Sequence, residues 1–539
     1  MKLRIHFVLG LLFAATAVLC SGSAAYPQRR QAPPEKPAEK PVEKADDKAG
    51  DKTADKSAAD KTGDKSGDKS KDEKKPEEKI VQTKHTVKIG GQEIKYTATA
   101  GTILLKLEDG TPKASVFYVA YTLTKRPVTF TFNGGPGAAS IWLHLGAFGP
   151  RRVQMGDVGA LLPPPYKLVD NEYSLLDITD LVFIDPVSTG YSRAVPGEAP
   201  KQFHGVEEDI QSVGDFIRLY ATRNKRWTSP KFLAGESYGT TRAAGLSGYL
   251  QGRYGMYLNG IALISTILNF QTAEFDRGND LPYMLYLPTY TAIAWYHKKL
   301  PADLQGDLQK AVDESRKFAS GEYADALMEG DNLPPPRKTE IAQKLARLTG
   351  LPAQFIEQAN LRIEIFRFDK ELLRSERRTV GRLDGRFKGI DEDAAGSEPS
   401  YDPSLAAIVG PYTATLNDYV RGELKFESDL PYEFLTGRVR PWNYAPYENR
   451  YINVAETLRS AMTENPFLHV YVAKGYYDLA TPFFAAEYTM DHLGLDSSLR
   501  GHLSGGYFES GHMMYVHQAS LVKLKQELKE FMASSVVTP

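Results

Sequence analysis

Phe232-Leu233-Ala234 followed by Gly235-Glu236-Ser237-Tyr238-Gly239 reads as a short buried strand running into a G-x-S-x-G pentad. The turn from strand to helix at such a pentad is sharp. Side chains at the two outer positions would clash, so glycines stand there and the serine hydroxyl is lifted to the tip. Alone the pattern is weak, because glycine, serine and glutamate are common. Its surroundings give it weight.

On both sides of the pentad, strand and helix signals alternate. Val128, Phe130 and Phe132 alternate as a strand and lead into Asn133-Gly134-Gly135-Pro136-Gly137. Leu181 to Ile184 is a short buried strand ending at Asp185-Pro186, and Val206, Ile210, Val213, Ile217 and Tyr220 keep helical spacing. Ile261 to Ile264 and Leu468 to Ala473 are further strands, and Leu521, Leu524, Leu528 and Phe531 mark a closing amphipathic helix. Before these, two β-rich runs flank Gly90-Gly91 as a hairpin, and Val116 to Leu123 is another strand. Such alternation predicts an α/β fold with a mostly parallel sheet and helices on both faces.

The alternation stops after about Phe275. Residues 276–410 read as a mainly helical insertion over the active edge of the sheet, dividing the main domain into 81–275 and 411–539. Within it, Tyr283, Tyr286, Tyr290, Trp295 and Tyr296 either line a pocket or pack a core.

The N-terminus is of another kind. Lys2 and Arg4, the apolar run Phe7 to Cys20 and Ser23-Ala24-Ala25 read as a secretory signal over residues 1–25. An uncleaved anchor is the alternative, but 14 apolar residues are short for a bilayer. Lipid attachment at Cys20 is disfavoured by Leu19 before it. Cys20 is the only cysteine, so a processed chain has no disulfide and relies on its core, for which 539 residues suffice. Residues 26–80 form a Lys/Asp-rich linker. Residues 31–80 hold 13 lysines and 14 acidic residues with no aromatic, too little apolar surface to order the chain. A solvated tether is expected there, with a cell-wall-binding segment as the alternative. The expected location is secreted or periplasmic, without stable membrane insertion after signal cleavage. A net charge of −1 offers no nucleic-acid surface.

A serine hydroxyl needs a base, and the base needs orienting. With this turn the partners follow in the order Ser, Asp or Glu, His. Asp478 follows the late strand, and His512 lies in Glu509-Ser510-Gly511-His512-Met513 before the last helix. Asp185 precedes Ser237, the wrong order, and Asp491 falls within a helix. The oxyanion requires backbone donors. Tyr238, next after the serine, offers one N–H, and the Gly-rich loop offers the other at Gly135. No Lys-Ser/Thr follows that loop and no G-x-G-x-x-G occurs, so a phosphate cradle is not indicated. The reading requires no metal and no cofactor.

Taken together, Asn133-Gly134-Gly135-Pro136-Gly137, Gly149-Pro150, Asn171-Glu172-Tyr173-Ser174, Ile184-Asp185 through Gly190-Tyr191-Ser192, Gly235 to Gly239, Asp478 and Gly511-His512-Met513 resemble the serine carboxypeptidases. The resemblance is weak over 276–410 and absent from residues 1–80. It implies an α/β-hydrolase fold with an inserted cap, peptide substrates shortened from the C-terminus, and catalysis by Ser237, Asp478 and His512. It also implies that Asn133 and Glu236 bind the substrate carboxylate. Two features depart from the pattern. Ala147 stands where a second Glu is expected, and the family's cysteines are missing, with Ala138 in place of one. Two close carboxyls share a proton and can hydrogen-bond a carboxylate at acid pH. With one Glu, a less acidic optimum is expected, or another group, His144 or the Arg151-Arg152 pair, takes part. An esterase or acyltransferase on the same site is the second reading, and a non-catalytic binding protein the third.

Overall fold

The structure is a computed structural model and describes residues 76–123 and 126–536. The expected signal and most of the linker lie outside these residues.

The hairpin at Gly90-Gly91 joins β1 (Ile80–Ile89) to β2 (Gln92–Lys106), with Ile89 opposite Gln92. Both glycines take positive φ, 54° and 84°, as a two-residue hairpin turn demands. β3 (Pro112–Thr122) continues the antiparallel edge. β4 (Val128–Phe132) then enters the centre of the sheet. A small hairpin, β5 (Arg151–Val153) with β6 (Leu168–Asp170), stands apart. β7 (Asp180–Ile184), the short β8 (Arg193–Ala194), β9 (Lys231–Ser237) and β10 (Gly260–Thr266) follow. Another small hairpin, β11 (Arg378–Val380) with β12 (Lys388–Ile390), precedes β13 (His469–Gly475) and β14 (Leu503–Phe508).

The main sheet runs β1-β2-β3-β7-β4-β9-β10-β13-β14, with β8 on β3. Every pairing from β7 to β14 is parallel. The sheet is therefore mixed but mostly parallel, as expected. All five residues of β4 are buried, including Thr129 and Thr131. Alternation in that strand does not mark a wet face, because helices cover both sides.

Alternate residues feed two cores. Val116, Tyr118 and Ala120 point to one, which packs the helices Val206–Arg223, Tyr238–Tyr254 and Ala455–Glu464. Phe117, Val119 and Tyr121 point to the other, under Pro403–Gly422 and Gln518–Ser534.

Between β10 and β13 the chain leaves the sheet and builds helices, among them Leu281–Tyr296, Leu308–Ala319 and Pro335–Thr349. They enclose a third core. Tyr283, Tyr286 and Tyr290 are buried in it, and Trp295 and Tyr296 pack against it. Tyr290 stacks on Phe368 at 4.2 Å and donates to the Ile363 carbonyl. The aromatic cluster is core packing. Tyr477, Leu479 and Phe483, from the segment after β13, belong to the same core and tie these helices to the sheet. No described helix is long and apolar enough to cross a membrane.

Candidate active site

Parallel strands bring their C-terminal ends to one edge, where loops can converge. β4 ends just before Asn133, β9 at Ser237, β13 at the loop holding Asp478, and β14 at the loop holding His512. β9, β10, β13 and β14 lie side by side in that order.

Ser237 has φ 61° and ψ −130°, a conformation that costs a non-glycine residue about 1–3 kcal/mol. The flanking glycines make the turn possible. A Cβ on Gly235 would lie 2.1 Å from the Gly239 carbonyl oxygen, and one on Gly239 would lie 2.8 Å from that of Phe132. Tyr238 opens the following helix, so its N–H has no acceptor within the helix. The Gly-rich loop packs directly on this turn, since a Cβ on Gly134 would lie 2.4 Å from the Tyr238 nitrogen. Gly135 has φ 104°. The loop is held by Arg242, which donates to the Asn133 carbonyl at 2.6 Å and pairs with buried Asp209 at 2.7 Å.

Asp478 is fully buried, and both of its oxygens are engaged. Oδ1 accepts from the Ala480 and Thr481 N–H groups at 2.8 and 3.0 Å. Oδ2 accepts from the Thr481 hydroxyl at 2.7 Å and meets His512 Nδ1 at 2.8 Å. Burial opposes protonation of His512. The charge and hydrogen bond of Asp478, aided by Glu236, outweigh it and hold the imidazole above its ordinary value. Among the described residues, the Ser237 hydroxyl has no hydrogen-bond partner, so the serine–histidine contact is open in this state. Such contacts are often long without substrate and tighten in the Michaelis complex. Glu236, the residue before Ser237, is within electrostatic reach of His512.

A second set of contacts fixes the His512 loop, and the sequence reading missed it. His512 N–H donates to the Leu383 carbonyl at 2.6 Å, and Ser265 Oγ donates to the His512 carbonyl at 2.6 Å. Asp384 accepts from Gly511 N–H at 2.9 Å. Arg386 pairs with Asp384 at 2.7 Å and donates to Glu509 O and Ser510 Oγ, each at 2.9 Å. Leu383, Asp384 and Arg386 lie more than a hundred positions from His512 in a segment without motif, so no local signal marks them.

Asn133 and Glu236 are both buried beside this centre. Asn133 Oδ1 accepts from Leu143 N–H at 3.0 Å. Its Nδ2 is near enough to Glu236 to favour the carboxylate, yet is not aligned for a hydrogen bond with any described residue. Glu236 Oε2 accepts from the Tyr515 hydroxyl at 2.5 Å. Burial dominates and pushes Glu236 from 4.5 up to about 7, although His512, Tyr515 and Asn133 favour its ionised form. A carboxyl raised on folding stabilises fully below its unfolded value, and that contribution is lost as pH rises through the folded value. Glu236→Gln is therefore expected to leave stability unchanged at pH 4 and to raise it at pH 8. The gain is about 3 kcal/mol, read from urea unfolding at the two pH values. Equal effects at both would show that burial does not set the carboxyl.

Of the groups considered as replacements for a second Glu, His144 and Arg151 are engaged elsewhere. His144 is buried, 2.6 Å from the Tyr121 hydroxyl and stacked on Phe183 at 4.4 Å, and burial lowers it to about 3. It is a neutral packed imidazole. Arg151 pairs with Asp170, and with Glu423 at 2.9 Å. Arg152 lines a pocket with Gly146, Tyr412 and Tyr515 that none of Ser237, Asp478 and His512 lines. Of the rival acids, Asp185 is buried and accepts from Ser140 N–H at 2.9 Å, anchoring the start of a helix. Asp491 ends the helix Phe483–Asp491.

A parallel sheet with a strained serine between strand and helix, and with an Asp–His pair on the loops of neighbouring strands, defines an α/β hydrolase. The model of the serine carboxypeptidase family matches residues 107–504, and the chain belongs to that family. Serine-type carboxypeptidase F of Aspergillus niger is 29% identical over 139 residues, 25% of this chain and 24% of that protein. Serine carboxypeptidase-like 34 of Arabidopsis thaliana is 26% identical over 266 residues, 44% of this chain and 46% of that protein. The chain thus spans from about a quarter to about half the length of these curated relatives. Among solved structures, Kex1(Δ)p, a prohormone-processing carboxypeptidase from Saccharomyces cerevisiae, is similar with a TM-score of 0.51 and 16% identity. That similarity covers 81% of this chain and 91% of that one, and it is a likeness of fold.

Proposed function

We propose that this protein is a serine carboxypeptidase that removes single residues from the free C-termini of peptides. The observation that carries the reading is a conjunction. The buried Asp478–His512 pair shares one sheet edge with the strained Ser237, and a buried amide and carboxyl, Asn133 and Glu236, lie beside them.

Ser237 Oγ attacks the scissile carbonyl and gives its proton to His512 Nε2. Asp478 holds Nδ1–H and stabilises the imidazolium. The Gly135 and Tyr238 N–H groups receive the oxyanion. His512 then protonates the departing amine, leaving an acyl-Ser237. Water, deprotonated by His512, attacks the acyl group, and the serine recovers its proton. Asn133 Nδ2 and the neutral Glu236 carboxyl donate to the substrate carboxylate, which places the last peptide bond over Ser237. The helices between β10 and β13, within the insertion read at 276–410, supply the walls that select side chains. The leader read at residues 1–25 directs export to the periplasm or the exterior, and residues 26–80 act as a tether.

The test is a mixture of peptides with free and amidated C-termini, followed by mass spectrometry. Loss of one residue at a time from free C-termini alone is expected. Equal turnover of amidated peptides, or turnover of simple esters alone, would instead favour the esterase or acyltransferase reading.

A further inference from the structure

The buried hydroxyl of Tyr515 donates to Glu236 Oε2 at 2.5 Å, and no part of the reaction described above uses it. Tyr515 follows His512 by three residues, in the short helical turn Met514–Val516. Its ring passes against Gly146, where a Cβ would lie 2.4 and 2.7 Å from two ring carbons and 2.6 Å from the Tyr412 hydroxyl oxygen. Gly146 thus leaves room for two tyrosines, directly before Ala147, which has no carboxyl to offer.

Building on the carboxypeptidase reading, we infer that Tyr515 is a positioning residue for Glu236: its hydroxyl, donating to Oε2, leaves Oε1 to carry the proton offered to a peptide's terminal carboxylate and sets the pH range in which free C-termini bind. A phenol does this differently from a second carboxyl. Burial and the neighbouring Glu236 and Tyr412 keep the Tyr515 hydroxyl protonated far above its ordinary range. It therefore donates at every working pH and never competes for the Glu236 proton. Among the described residues no second carboxyl shares the Glu236 proton through a hydrogen bond.

The groups around this pair come from every neighbouring element. His512 and Asp478 lie on the loops after β14 and β13, and Asn133 lies at the end of β4. Tyr412 comes from the helix Pro403–Gly422, with Arg152 beside it. Arg382 acts on His512. Tyr515 donates directly to Glu236 Oε2 and lies within reach of the Asn133 amide, so its hydroxyl acts on the carboxyl at first hand.

The test is Tyr515→Phe, which keeps the ring and removes only the hydroxyl that meets Glu236. KM and kcat for a blocked dipeptide with a free C-terminus are measured from pH 4.5 to 9. Wild-type KM should climb as Glu236 ionises. Losing a hydrogen bond to the ionised form moves that climb upward by about one pH unit or more. At pH 9 the variant's KM is then about tenfold lower, at pH 5 it is unchanged, and the kcat limb of His512 stays in place. In a Glu236→Gln background, Tyr515→Phe should move nothing. An unmoved KM limb, a kcat limb that moves with it, or the same shift in the Gln background would overturn the inference. A wild-type protein that releases no C-terminal residue overturns the carboxypeptidase reading itself. Titration of 13C-labelled glutamate carboxyls in both proteins then reads the Tyr515–Glu236 link without substrate, and an unmoved Glu236 resonance overturns that too.

Discussion

Ser237→Ala is expected to lower kcat by about 10^5 to 10^6 while leaving KM for a free C-terminus within a few-fold of wild type. The two effects separate because different atoms carry them. In the proposed mechanism the hydroxyl forms the acyl bond, and no described residue uses it as a structural partner, so its loss should remove chemistry and no fold contact. The proposed carboxylate site uses Asn133 and Glu236, with Tyr515 bonded to Glu236, and the substitution leaves all three in place. Residual catalysis would come from the oxyanion donors and from binding, at about 10^3 to 10^4 over water. Stability should not fall. The strain belongs to the backbone at φ 61°, which alanine tolerates no better than serine, so the folded state neither gains nor loses much. Steady-state kinetics with thermal unfolding read both quantities, and labelling by a fluorophosphonate should vanish. Retention of more than about 1% of kcat in a variant that folds normally would remove Ser237 from the role of nucleophile.

The sheet was legible because its central strands are short apolar runs set between helical repeats and turn residues. β14 was not, because Leu503-Ser504-Gly505-Gly506-Tyr507-Phe508 has neither an apolar run nor alternation. Its place comes from pairing with β13, where Gly505 lets the backbone approach Val472 closely. Asp478 could be picked out because it sits just past a strand at the active edge, and His512 because it stands in a Gly-flanked loop between Asp478 and the last helix. Asp384, Arg386 and Tyr515 could not. Their importance is wholly in what they touch, and the chain brings them there across distances that periodicity does not reach. Ala147 illustrates the same limit. The sequence reveals a missing carboxyl, but only the folded contacts reveal that the Tyr515 hydroxyl is bonded to Glu236.

Asp478→Asn is expected to reduce kcat by about 10^4 at neutral pH, and the hydrogen bonds around the carboxylate explain why so small a change is so costly. Oδ1 receives two backbone N–H groups, from Ala480 and Thr481, and these cannot turn away. The asparagine oxygen must take that position. Its NH2 is then forced into the place of Oδ2, pointing at His512 Nδ1 and the Thr481 hydroxyl. Thr481 adapts by rotating its hydroxyl so that the oxygen accepts. His512 adapts only by presenting a bare Nδ1, which moves its proton to Nε2, the nitrogen that must be unprotonated to serve as base for Ser237. The charge term changes in the same direction. With the carboxylate gone, burial is the leading influence on the imidazole, and its protonation shifts from above to below the ordinary value of 6.5. Imidazole titration by NMR should show that reversal, and kinetics on the same dipeptide should show the loss in kcat with little change in KM. A variant that folds, keeps His512 titrating above its ordinary value and loses less than tenfold in kcat would mean that Asp478 does not set the tautomer.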